Sequence, residues 1–481
     1  MKNITNKMIT ALALFAILLT GCAPAATPTA APAAAAPTAA VAVPAPTAVP
    51  PTEAPPTAVP ATAVPAATTA APVHLVVWWW GEQEAPGAQK WMDETVANYE
   101  KLHPNVTIET VLQSTDSLIP AFQSAAAAKS GPDIQYFWGG VYTLDNAWSG
   151  AIIPVDDLIA KDELSHYINN FERSYDGKQY GIGWYLSGNP MVYNPKLFTK
   201  AGLDPKNPPQ TWPDLIAACK KLSAAGVTPI SGGMKDGWFG GWLFSILARQ
   251  SHDSYKDFMS ASVGNAKFTD PAYSGWWTAL DQLKQANCWN KDIGSVDYQQ
   301  GQDMFVQGKS AMLFSNDTFL KGFADTAGFG WDSMAVMMVP KWATGKMASE
   351  YITTAQGWGI TSWSKYPQQD ADFLMYMHSA DRLKAWWTYT GVLPADNRMD
   401  TSLITQPIQK QIFQWDTTVA GANLENFIPS QLDNDANMTG VQLLFSGGKT
   451  PAQLSQLSED TIAKWRTQSP DSVTNFQTWS K

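Results

Sequence analysis

The chain has 481 residues, of which 45% are hydrophobic and 15% are charged, and its formal net charge is -10. Binding to nucleic acid requires a basic face on the protein. The chain is acidic and its few arginines are scattered, so we expect no nucleic-acid partner. The length exceeds what one hydrophobic core usually supports, which predicts more than one lobe.

The N-terminal residues have the pattern of a secretory segment. Two early lysines precede an apolar run from Met8 to Leu19, which is short for a membrane span. The run ends in Leu19-Thr20-Gly21-Cys22, which resembles a bacterial lipobox. This resemblance implies a signal peptide over residues 1-21, cleavage before Cys22 and acylation of that cysteine. An uncleaved signal anchor with an unmodified Cys22 is the alternative.

Residues 23-73 have the composition of a tether. They are Ala, Pro, Thr and Val, with Glu53 as the only charge. Such a segment has no aromatic residues and no apolar periodicity to offset the entropy of ordering, so it is not expected to fold alone. We therefore predict a disordered tether over residues 22-73 and a globular part over residues 74-481.

The globular part begins with alternating strand and helix patterns. A continuous apolar run from Leu75 to Trp80 is followed by helical spacing that breaks at His103-Pro104-Asn105. A second strand and a second helix follow, and a Gly131-Pro132-Asp133 turn leads into Ile134 to Trp138. This β-α-β-α-β order predicts parallel strands, with ligands bound beyond their carboxyl ends.

Aromatic and polar residues follow two of these strands. Trp79 and Trp80 end the first strand, and Glu82 and Gln83 lie in the next loop, while Trp138 ends the third strand. Such a set suits a sugar, because a pyranose packs its C–H face on flat rings and pairs its hydroxyls with carboxylates and amides. The chain has 22 Trp, and complete burial of so many is unusual. A core position is the alternative for each of these tryptophans.

The middle of the chain carries a series of short motifs. They are Tyr175-Asp176-Gly177-Lys178-Gln179-Tyr180-Gly181-Ile182, Tyr193-Asn194, Ala201-Gly202-Leu203-Asp204, Pro208-Pro209, Thr211-Trp212 and Gly391-Val392-Leu393-Pro394. In this order and spacing the chain resembles extracellular solute-binding proteins of family 1, the carbohydrate receptors of ATP-binding cassette importers. Locally, Asn194 and Thr211 have the pattern of helix N-caps.

This resemblance implies an α/β fold of the two-lobed periplasmic-binding-protein type (type II). Each lobe is expected to be a mainly parallel sheet flanked by helices, with the ligand cleft between the lobes. The expected limits are about 74-187 and 316-365 for lobe 1, and about 188-315 and 366-481 for lobe 2. Leu186 to Asn189 is the first hinge candidate.

The resemblance also implies a function. The chain is expected to capture a sugar or oligosaccharide outside the cytoplasm by hinge closure and to deliver it to transmembrane permease subunits. The expected partners are the carbohydrate, the permease and the membrane that holds the lipid anchor, in the periplasm or at the cell surface. We expect a monomer that is not an enzyme and needs no cofactor.

Further ligand-binding positions follow only from the resemblance. They are Tyr185, Trp238, Trp242, Asn316, Asp317, Trp358 and Arg398. Trp238 and Trp242 are four residues apart, so one buried helical face is an equal alternative. Asp317 also suits a cap or turn, and Arg398 also suits a solvated turn, although its guanidinium fork would pair with hydroxyls. Trp358 lies between two glycines, which suggests a ring displayed on a loop.

Other chemistries find little support in the sequence. Gly308-Lys309-Ser310 lacks the leading glycine of a phosphate loop, because Asp303 occupies that position. The Asp433 region begins like a calcium loop but lacks its glycine and closing carboxylate, and the scattered histidines indicate no metal site. Apart from Cys22, the cysteines are Cys219 and Cys288, and their pairing is left open.

The rival function is a surface glycoside hydrolase. Such an enzyme also needs aromatic subsites, together with two carboxylates about 5 to 9 Å apart. The carboxylates that the sequence leaves open for this role are Glu82, Glu84, Asp317 and Glu350. A hydrolase would release reducing ends from its substrate, whereas a receptor releases its ligand unchanged.

Overall fold

Two β-sheets organise residues 71-481, which are the residues described in the computed structural model. Within these residues a large sheet has seven strands and a small sheet has four, and a two-stranded hairpin stands apart. The expected signal peptide, Cys22 and all but the last positions of the expected tether lie outside the described residues.

Both sheets are mixed. In the described part the strands are β1 (Val73–Trp79), β2 (Val106–Leu112), β3 (Ile134–Phe137), β4 (Ile152–Ile153), β5 (Ser174–Tyr175), β6 (Lys178–Gln179), β7 (Ile182–Gly188), β8 (Met191–Tyr193), β9 (Thr228–Ser231), β10 (Ser310–Phe314), β11 (Ala335–Met337), β12 (Tyr351–Thr361) and β13 (Ala420–Gly421). The large sheet runs β13-β12-β3-β1-β2, with β4 and β7 also paired to β12, and the small sheet runs β11-β8-β10-β9. Strand β1 is parallel to β2 and β3, and β9 is parallel to β10, as predicted. The long β12 and the short β8 run antiparallel to most of their neighbours, so neither sheet is mainly parallel.

Helices cover the sheets. For residues 71-481 they are α1 (Ala88–Leu102), α2 (Thr115–Ala128), α3 (Val141–Trp148), α4 (Lys161–Leu164), α5 (Pro195–Lys200), α6 (Trp212–Ala224), α7 (Phe239–Ala248), α8 (Lys256–Ser262), α9 (Pro271–Gln285), α10 (Tyr298–Val306), α11 (Leu320–Asp325), α12 (Pro367–Met377), α13 (Ala380–Thr390), α14 (Pro407–Thr418), α15 (Ser430–Leu432), α16 (Thr439–Phe445), α17 (Pro451–Gln468) and α18 (Pro470–Trp479). Short 3-10 turns and one π-helical turn, Asp433–Met438, join them.

The predicted β-α-β-α-β order is confirmed as β1, α1, β2, α2 and β3. Helix α1 ends at Leu102 because Pro104 disfavours helical backbone in the residue before it. The predicted N-caps of α5 and α6 are also present. Asn194 Oδ1 accepts a hydrogen bond from the Lys196 N–H at 3.0 Å, and Thr211 Oγ1 accepts one from the Asp214 N–H at 3.3 Å.

Each sheet has its own hydrophobic core. The core of the large sheet contains Trp91 of α1, Trp184 of β7 and Trp386 of α13, which are all buried. The small sheet buries a second cluster that includes Trp276 and Trp277 of α9. Three elements lie differently from the expected lobe limits, because β11 pairs with β8 of the small sheet, and α12 and α13 pack on α1 of the large sheet. The limits of the two lobes, redrawn at these elements, remain a prediction.

The chain passes between the sheets at the ends of β7 and β12. Strand β7 ends at Gly188 and β8 of the small sheet begins at Met191, so the hinge predicted at Leu186 to Asn189 overlaps this passage. Asp317 ties two passages together, since its carboxylate accepts from the Gly188 N–H at 2.9 Å and from the Tyr351 hydroxyl at 2.7 Å. Burial raises the pKa of Asp317 to about 7.

A disulfide, which the sequence left open, joins two elements of the small-sheet region. Cys219 of α6 and Cys288, which follows α9, are bonded with a Cα–Cα distance of 5.2 Å. The two residues are 69 positions apart in the sequence. Both side chains are fully buried in the core.

Replacing Cys219 and Cys288 together by serine is expected to lower the free energy of unfolding by about 4 kcal/mol. The reason is that closing a long loop removes conformational entropy from the unfolded chain, and reopening it restores that entropy. Denaturant unfolding of the variant and of the wild type, each with and without a reductant, measures the difference. The reductant is expected to lower the stability of the wild type only. Equal stability of the oxidised wild type and the double variant would contradict the prediction.

Candidate ligand-binding cleft

A cavity of about 290 Å³, called the cleft below, is lined by residues from the regions of both sheets. The large sheet contributes the loop after β1, the segment after β3, and side chains of β7 and β12. The opposite side comes from α7, α10 and the segment after β10 of the small sheet. The cleft therefore lies beyond the carboxyl ends of β1 and β3, where the strand pattern predicts a ligand.

Aromatic rings line both sides of the cleft. On the large-sheet side, Trp138 stands edge-on to Trp80 and Tyr142, with ring centroids 5.7 and 5.6 Å apart. On the other side, Trp238 and Trp242 stand edge-on to each other at 5.0 Å. The three tryptophans Trp138, Trp238 and Trp242 are only partly buried. Their rings thus offer apolar surface to a ligand in the cleft.

The Glu84 carboxylate joins three segments at the cleft. Its Oε2 accepts a hydrogen bond from the Tyr185 hydroxyl at 2.7 Å. Its Oε1 accepts from the Ser187 hydroxyl at 2.8 Å and from the Asn316 amide at 2.9 Å. Burial raises the pKa of Glu84, and these three hydrogen bonds partly offset that rise. Because Asn316 follows β10, the network links the two sheets.

Three buried amide atoms of the cleft wall have no hydrogen-bond partner among residues 71-481. They are Gln302 Nε2, Gln356 Oε1 and Asn423 Oδ1. The residues are 3%, 5% and 5% exposed. A buried polar atom without a partner costs about 1–3 kcal/mol, so these atoms gain most from a ligand that supplies hydroxyl or amine groups.

The charged side chains of the cleft wall are carboxyl groups. Glu84, Asp236 and Glu425 line the cleft, and none of its described lining residues is Lys, Arg or His. Burial, reinforced by the charge of Asp433, raises the pKa of Glu425 to about 8. Within the described chain, no group of three or more His, Cys, Asp or Glu is arranged to hold a metal ion. An anionic ligand would meet no countercharge in this cleft.

The structure brings half of the residues predicted from the sequence into the cleft wall. They are Trp80, Gln83, Trp138, Trp238, Trp242 and Asn316. Trp238 and Trp242 do lie on one helical face, at the start of α7, but that face is part of the cleft. Contact between these residues and a ligand stays a prediction.

Two predicted aromatic residues lie in the core instead. Trp79 is fully buried and packs edge-on against Trp184 at 6.3 Å. Trp358, expected on a loop, is a fully buried residue of β12. Its glycine neighbour serves strand packing, since a Cβ on Gly357 would lie 2.1 Å from the Ile182 carbonyl oxygen. Both corrections follow from the burial of the large sheet on both faces.

Glu82 and Tyr185 do not line the cleft, and each has a structural partner. The Glu82 carboxylate accepts hydrogen bonds from the N–H groups of Gly87 and Gln89, at 3.1 and 2.6 Å, at the start of α1. Free N–H groups at a helix start favour a negative charge there. Tyr185 is fully buried and acts on the cleft only through its hydrogen bond to Glu84.

Asp317 and Arg398 also lie outside the cleft wall. The Asp317 carboxylate instead accepts hydrogen bonds from the Gly188 N–H and the Tyr351 hydroxyl, at the two points where the chain passes between the sheets. Arg398 donates to both oxygens of Glu163 at 2.8 Å and to Asp396, which also bonds His378 at 3.0 Å. Burial opposes ionisation of Asp396, but its hydrogen bonds with Arg398 and His378 prevail and lower its pKa. The solvated-turn alternative for Arg398 is therefore replaced by an ion-pair network.

Several lining residues were not found from the sequence. They include Tyr142, Tyr298, Gln302, Gln356, Asn423 and Glu425. One available signal was the spacing of Thr354 and Gln356, two polar residues on the same face of the otherwise apolar β12. A second signal was available in Tyr298 and Gln302, which lie four residues apart on α10. Asn423 and Glu425 lie two residues apart in one segment, and Tyr142 comes from a separate helix.

Comparisons with known proteins identify relatives of the chain. Residues 81–382 match the family described as bacterial extracellular solute-binding protein. The sn-glycerol-3-phosphate-binding periplasmic protein UgpB of Rhizobium meliloti (strain 1021) is 31% identical over 254 residues, which are 48% of this chain and 57% of that protein. A putative binding protein of Brucella abortus (strain 2308) is 24% identical over 356 residues, 70% of this chain and 77% of the relative. The chain thus spans about half the length of the first of these curated relatives.

Solved structures show the same two-lobed type II fold. A chitin oligosaccharide binding protein is similar with a TM-score of 0.74 and 22% identity, covering 82% of this chain and 98% of the other. A substrate-binding protein from Listeria monocytogenes in complex with cycloalternan has a TM-score of 0.67 and 20% identity, covering 82% and 99%. The match over more than half of the chain, together with this fold, shows that the chain belongs to the bacterial extracellular solute-binding protein family.

Proposed function

We propose that this chain is the substrate-binding component of an ATP-binding cassette importer and that it captures a neutral or cationic carbohydrate in the cleft. Its family consists of solute-binding proteins. One structural neighbour is named for binding chitin oligosaccharide, and another is named as a complex with cycloalternan. The proposed ligand is a sugar or oligosaccharide, which the chain passes intact to transmembrane permease subunits.

One observation carries this proposal: buried amide atoms that have no hydrogen-bond partner within residues 71-481 stand in a cleft wall lined with aromatic rings. Gln356 Oε1 and Asn423 Oδ1 are free to accept a hydrogen bond, and Gln302 Nε2 is free to donate one. Partly buried rings such as those of Trp138 and Trp238 lie on both sides of the cleft. A sugar presents apolar faces and hydroxyl edges together, and few other neutral solutes match both features.

The charge of the cleft separates this chain from the ligand named for one of its curated relatives. UgpB is named for binding sn-glycerol-3-phosphate. Arginine and lysine are the side chains that pair with phosphate, whereas the described lining of this cleft carries Glu84, Asp236 and Glu425 and no basic side chain. We therefore do not transfer the phosphate ester to this chain.

Closure around the ligand is the proposed mechanism. Rings and amides come from both sides of the cleft, so a sugar that contacts both sides favours the closed form by the contacts it gains only there. The passages near Gly188 and Tyr351, joined by Asp317, are where the backbone would bend. The permease would recognise the closed, loaded form.

The glycoside hydrolase alternative has less support. Glu84 is the only one of its four candidate carboxylates among the described lining residues of the cleft. Glu82 binds the start of α1, Asp317 ties the two passages, and Glu350 accepts a hydrogen bond from Arg249. We therefore propose a receptor that does no chemistry on its ligand.

We further propose that Cys22 carries a lipid that holds the receptor at the outer side of the cytoplasmic membrane. The resemblance of Leu19-Thr20-Gly21-Cys22 to a lipobox supports this. Separately, the described residues 71-481 contain no helix with the length and hydropathy of a membrane span. A Cys22→Ser variant is expected to leave the membrane fraction after cell fractionation. Continued membrane association of that variant would contradict the anchor.

A thermal-shift screen of the purified chain against neutral, amino and phosphorylated sugars tests the function. A ligand that binds only the folded form raises the melting temperature, and the hits are quantified by calorimetry. Gln356→Leu is the matched variant: it removes an unpartnered buried oxygen, so it should keep the melting temperature and weaken sugar binding about 10-fold. Binding of no sugar, or release of reducing ends from a bound one, would reject the receptor proposal.

A further inference from the structure

One part of the cleft wall presents hydrogen-bond acceptors to the ligand. Asn423 donates its amide to Glu425 Oε1 at 2.9 Å, which turns its own Oδ1 into an acceptor with no partner among residues 71-481. Both residues line the cleft.

A second carboxyl group stands behind this pair. Asp433 and Glu425 both approach Gly241, and a Cβ there would meet Glu425 Oε2 at 3.0 Å and Asp433 Oδ2 at 3.1 Å. Asp433 accepts a hydrogen bond from the Tyr142 hydroxyl at 3.1 Å. Glycine at position 241 therefore makes room for two carboxyl groups beside the cleft.

The groups around Glu425 include no positive charge in the described lining. Asp433 and Glu84 add to the negative potential at Glu425, and burial and these charges raise its pKa to about 8. Burial also raises the pKa of Asp433 to about 6. Asp236 is the remaining lining carboxyl group, and the tyrosines Tyr142 and Tyr298 are neutral donors. Ionising either carboxyl group in this place is costly without a cation, and a ligand that supplies one would relieve that cost.

Aromatic rings beside these carboxyl groups also suit a cation. Trp238 and Trp242 flank Gly241 in the sequence, and both rings line the cleft. An ammonium group near a tryptophan face is attracted by the π-electron density of the ring. The same wall thus combines acceptor atoms, negative charge and aromatic rings.

Building on the proposed function, we propose that the ligand is an amino sugar, alone or within an oligosaccharide, whose protonated amine binds at Glu425 and Asn423. An ammonium group has three donors and no acceptor, which matches a wall of acceptors better than a hydroxyl does. An N-acetylated sugar lacks this charge. A phosphorylated sugar would be repelled.

Binding of the amine should release a proton to the solvent. In the empty cleft at pH 7 the Glu425 carboxyl group holds its proton, and the ammonium group would favour the ionised form. Binding therefore releases a proton from Glu425, and affinity rises as the pH increases from 6 toward 8, as long as the amine stays protonated. A neutral sugar gives neither effect.

Calorimetry with matched ligands tests the proposal on the full chain. The oligosaccharides are β-1,4-linked glucose, glucosamine and N-acetylglucosamine of equal length, and the monosaccharide pairs are glucose with glucosamine and galactose with galactosamine. In any set that binds, the sugar with the free amine is expected to bind about 10- to 100-fold tighter at pH 7 than the neutral sugars of that set, because it adds a charge-assisted hydrogen bond. Its binding enthalpy is expected to depend on the ionisation enthalpy of the buffer, which reports the released proton.

A Glu425→Gln variant should lose the preference for the amine and the proton release, while its affinity for neutral sugars changes little. Asp332→Asn removes one exposed carboxylate away from the cleft and should leave the preference unchanged. If Glu425→Gln fails to fold, the buffer dependence of the wild type decides alone. Equal or tighter binding of the neutral member, or binding of neutral sugars only, overturns the amino-sugar proposal and leaves the receptor function intact. Binding of no carbohydrate rejects both.

Discussion

Trp79→Ala is expected to lower the free energy of unfolding by about 3–5 kcal/mol, whereas Trp138→Ala is expected to lower carbohydrate affinity about 10- to 100-fold with little loss of stability. Trp79 is fully buried beside Trp184, so its removal leaves a large cavity in the core. Trp138 is partly buried and lines the cleft, so its ring has surface to offer a sugar face.

The two variants serve as controls for each other. Denaturant unfolding measures the stability of both, and calorimetry with a sugar identified in the screen measures affinity. Trp138→Phe keeps a flat ring and is expected to retain most of the binding. A stable Trp79→Ala protein with weakened binding would place Trp79 in the site, and unchanged affinity in Trp138→Ala would remove Trp138 from it.

Glu84→Ala is expected to lower the free energy of unfolding by about 3–5 kcal/mol and to abolish measurable sugar binding. The carboxylate is 4% exposed and accepts from Tyr185, Ser187 and Asn316. Its removal leaves the Tyr185 and Ser187 hydroxyls without an acceptor and leaves the Asn316 amide with only its hydrogen bond to Ser187, and each unpaired buried group carries its own desolvation cost. Because the network links β7 to the segment after β10, its loss also weakens the connection between the two sides of the cleft.

Glu84→Gln is the matched control. Glutamine keeps the shape and one acceptor oxygen, so the stability loss is expected to be about 1–2 kcal/mol and binding should be weakened rather than lost. Thermal unfolding and calorimetry of both variants separate the two effects. Full stability of Glu84→Ala would show that Tyr185, Ser187 and Asn316 find other partners, which would contradict the role given to this network.

Local sequence patterns were sufficient to predict the strands, helices and helix caps that depend on residues close to each other in the chain. The alternation of strands and helices from β1 to β3 followed from apolar spacing, and the ends of α5 and α6 followed from Asn194 and Thr211. These features involve hydrogen bonds within a few residues, so their signals lie close together in the sequence. The order of motifs likewise indicated the family before any long-range contact was known.

Adjacent residues show where such patterns fail. Trp79 and Trp80 are neighbours of the same type, but one is in the core and the other lines the cleft. Successive side chains of a strand point to opposite faces, and when both faces are covered the sequence shows no polar side to distinguish them. Trp358 was placed on a loop for the same reason, because its glycine neighbours resemble a turn but serve close strand packing.

The sequence by itself determined the strand and helix order from β1 to β3, the starts of α5 and α6, the family, and the kind of chemistry, namely tryptophans and amides in an acidic chain. Only the tertiary structure decided which of these side chains meet. Gln356 lies on β12, whereas Asn423 and Glu425 lie together in a later segment, and Arg398 is held outside the cleft by Glu163, more than two hundred residues away. The physical reason is that hydrogen bonds and ion pairs depend on distance in space, so partners far apart in the chain leave no local trace in the sequence.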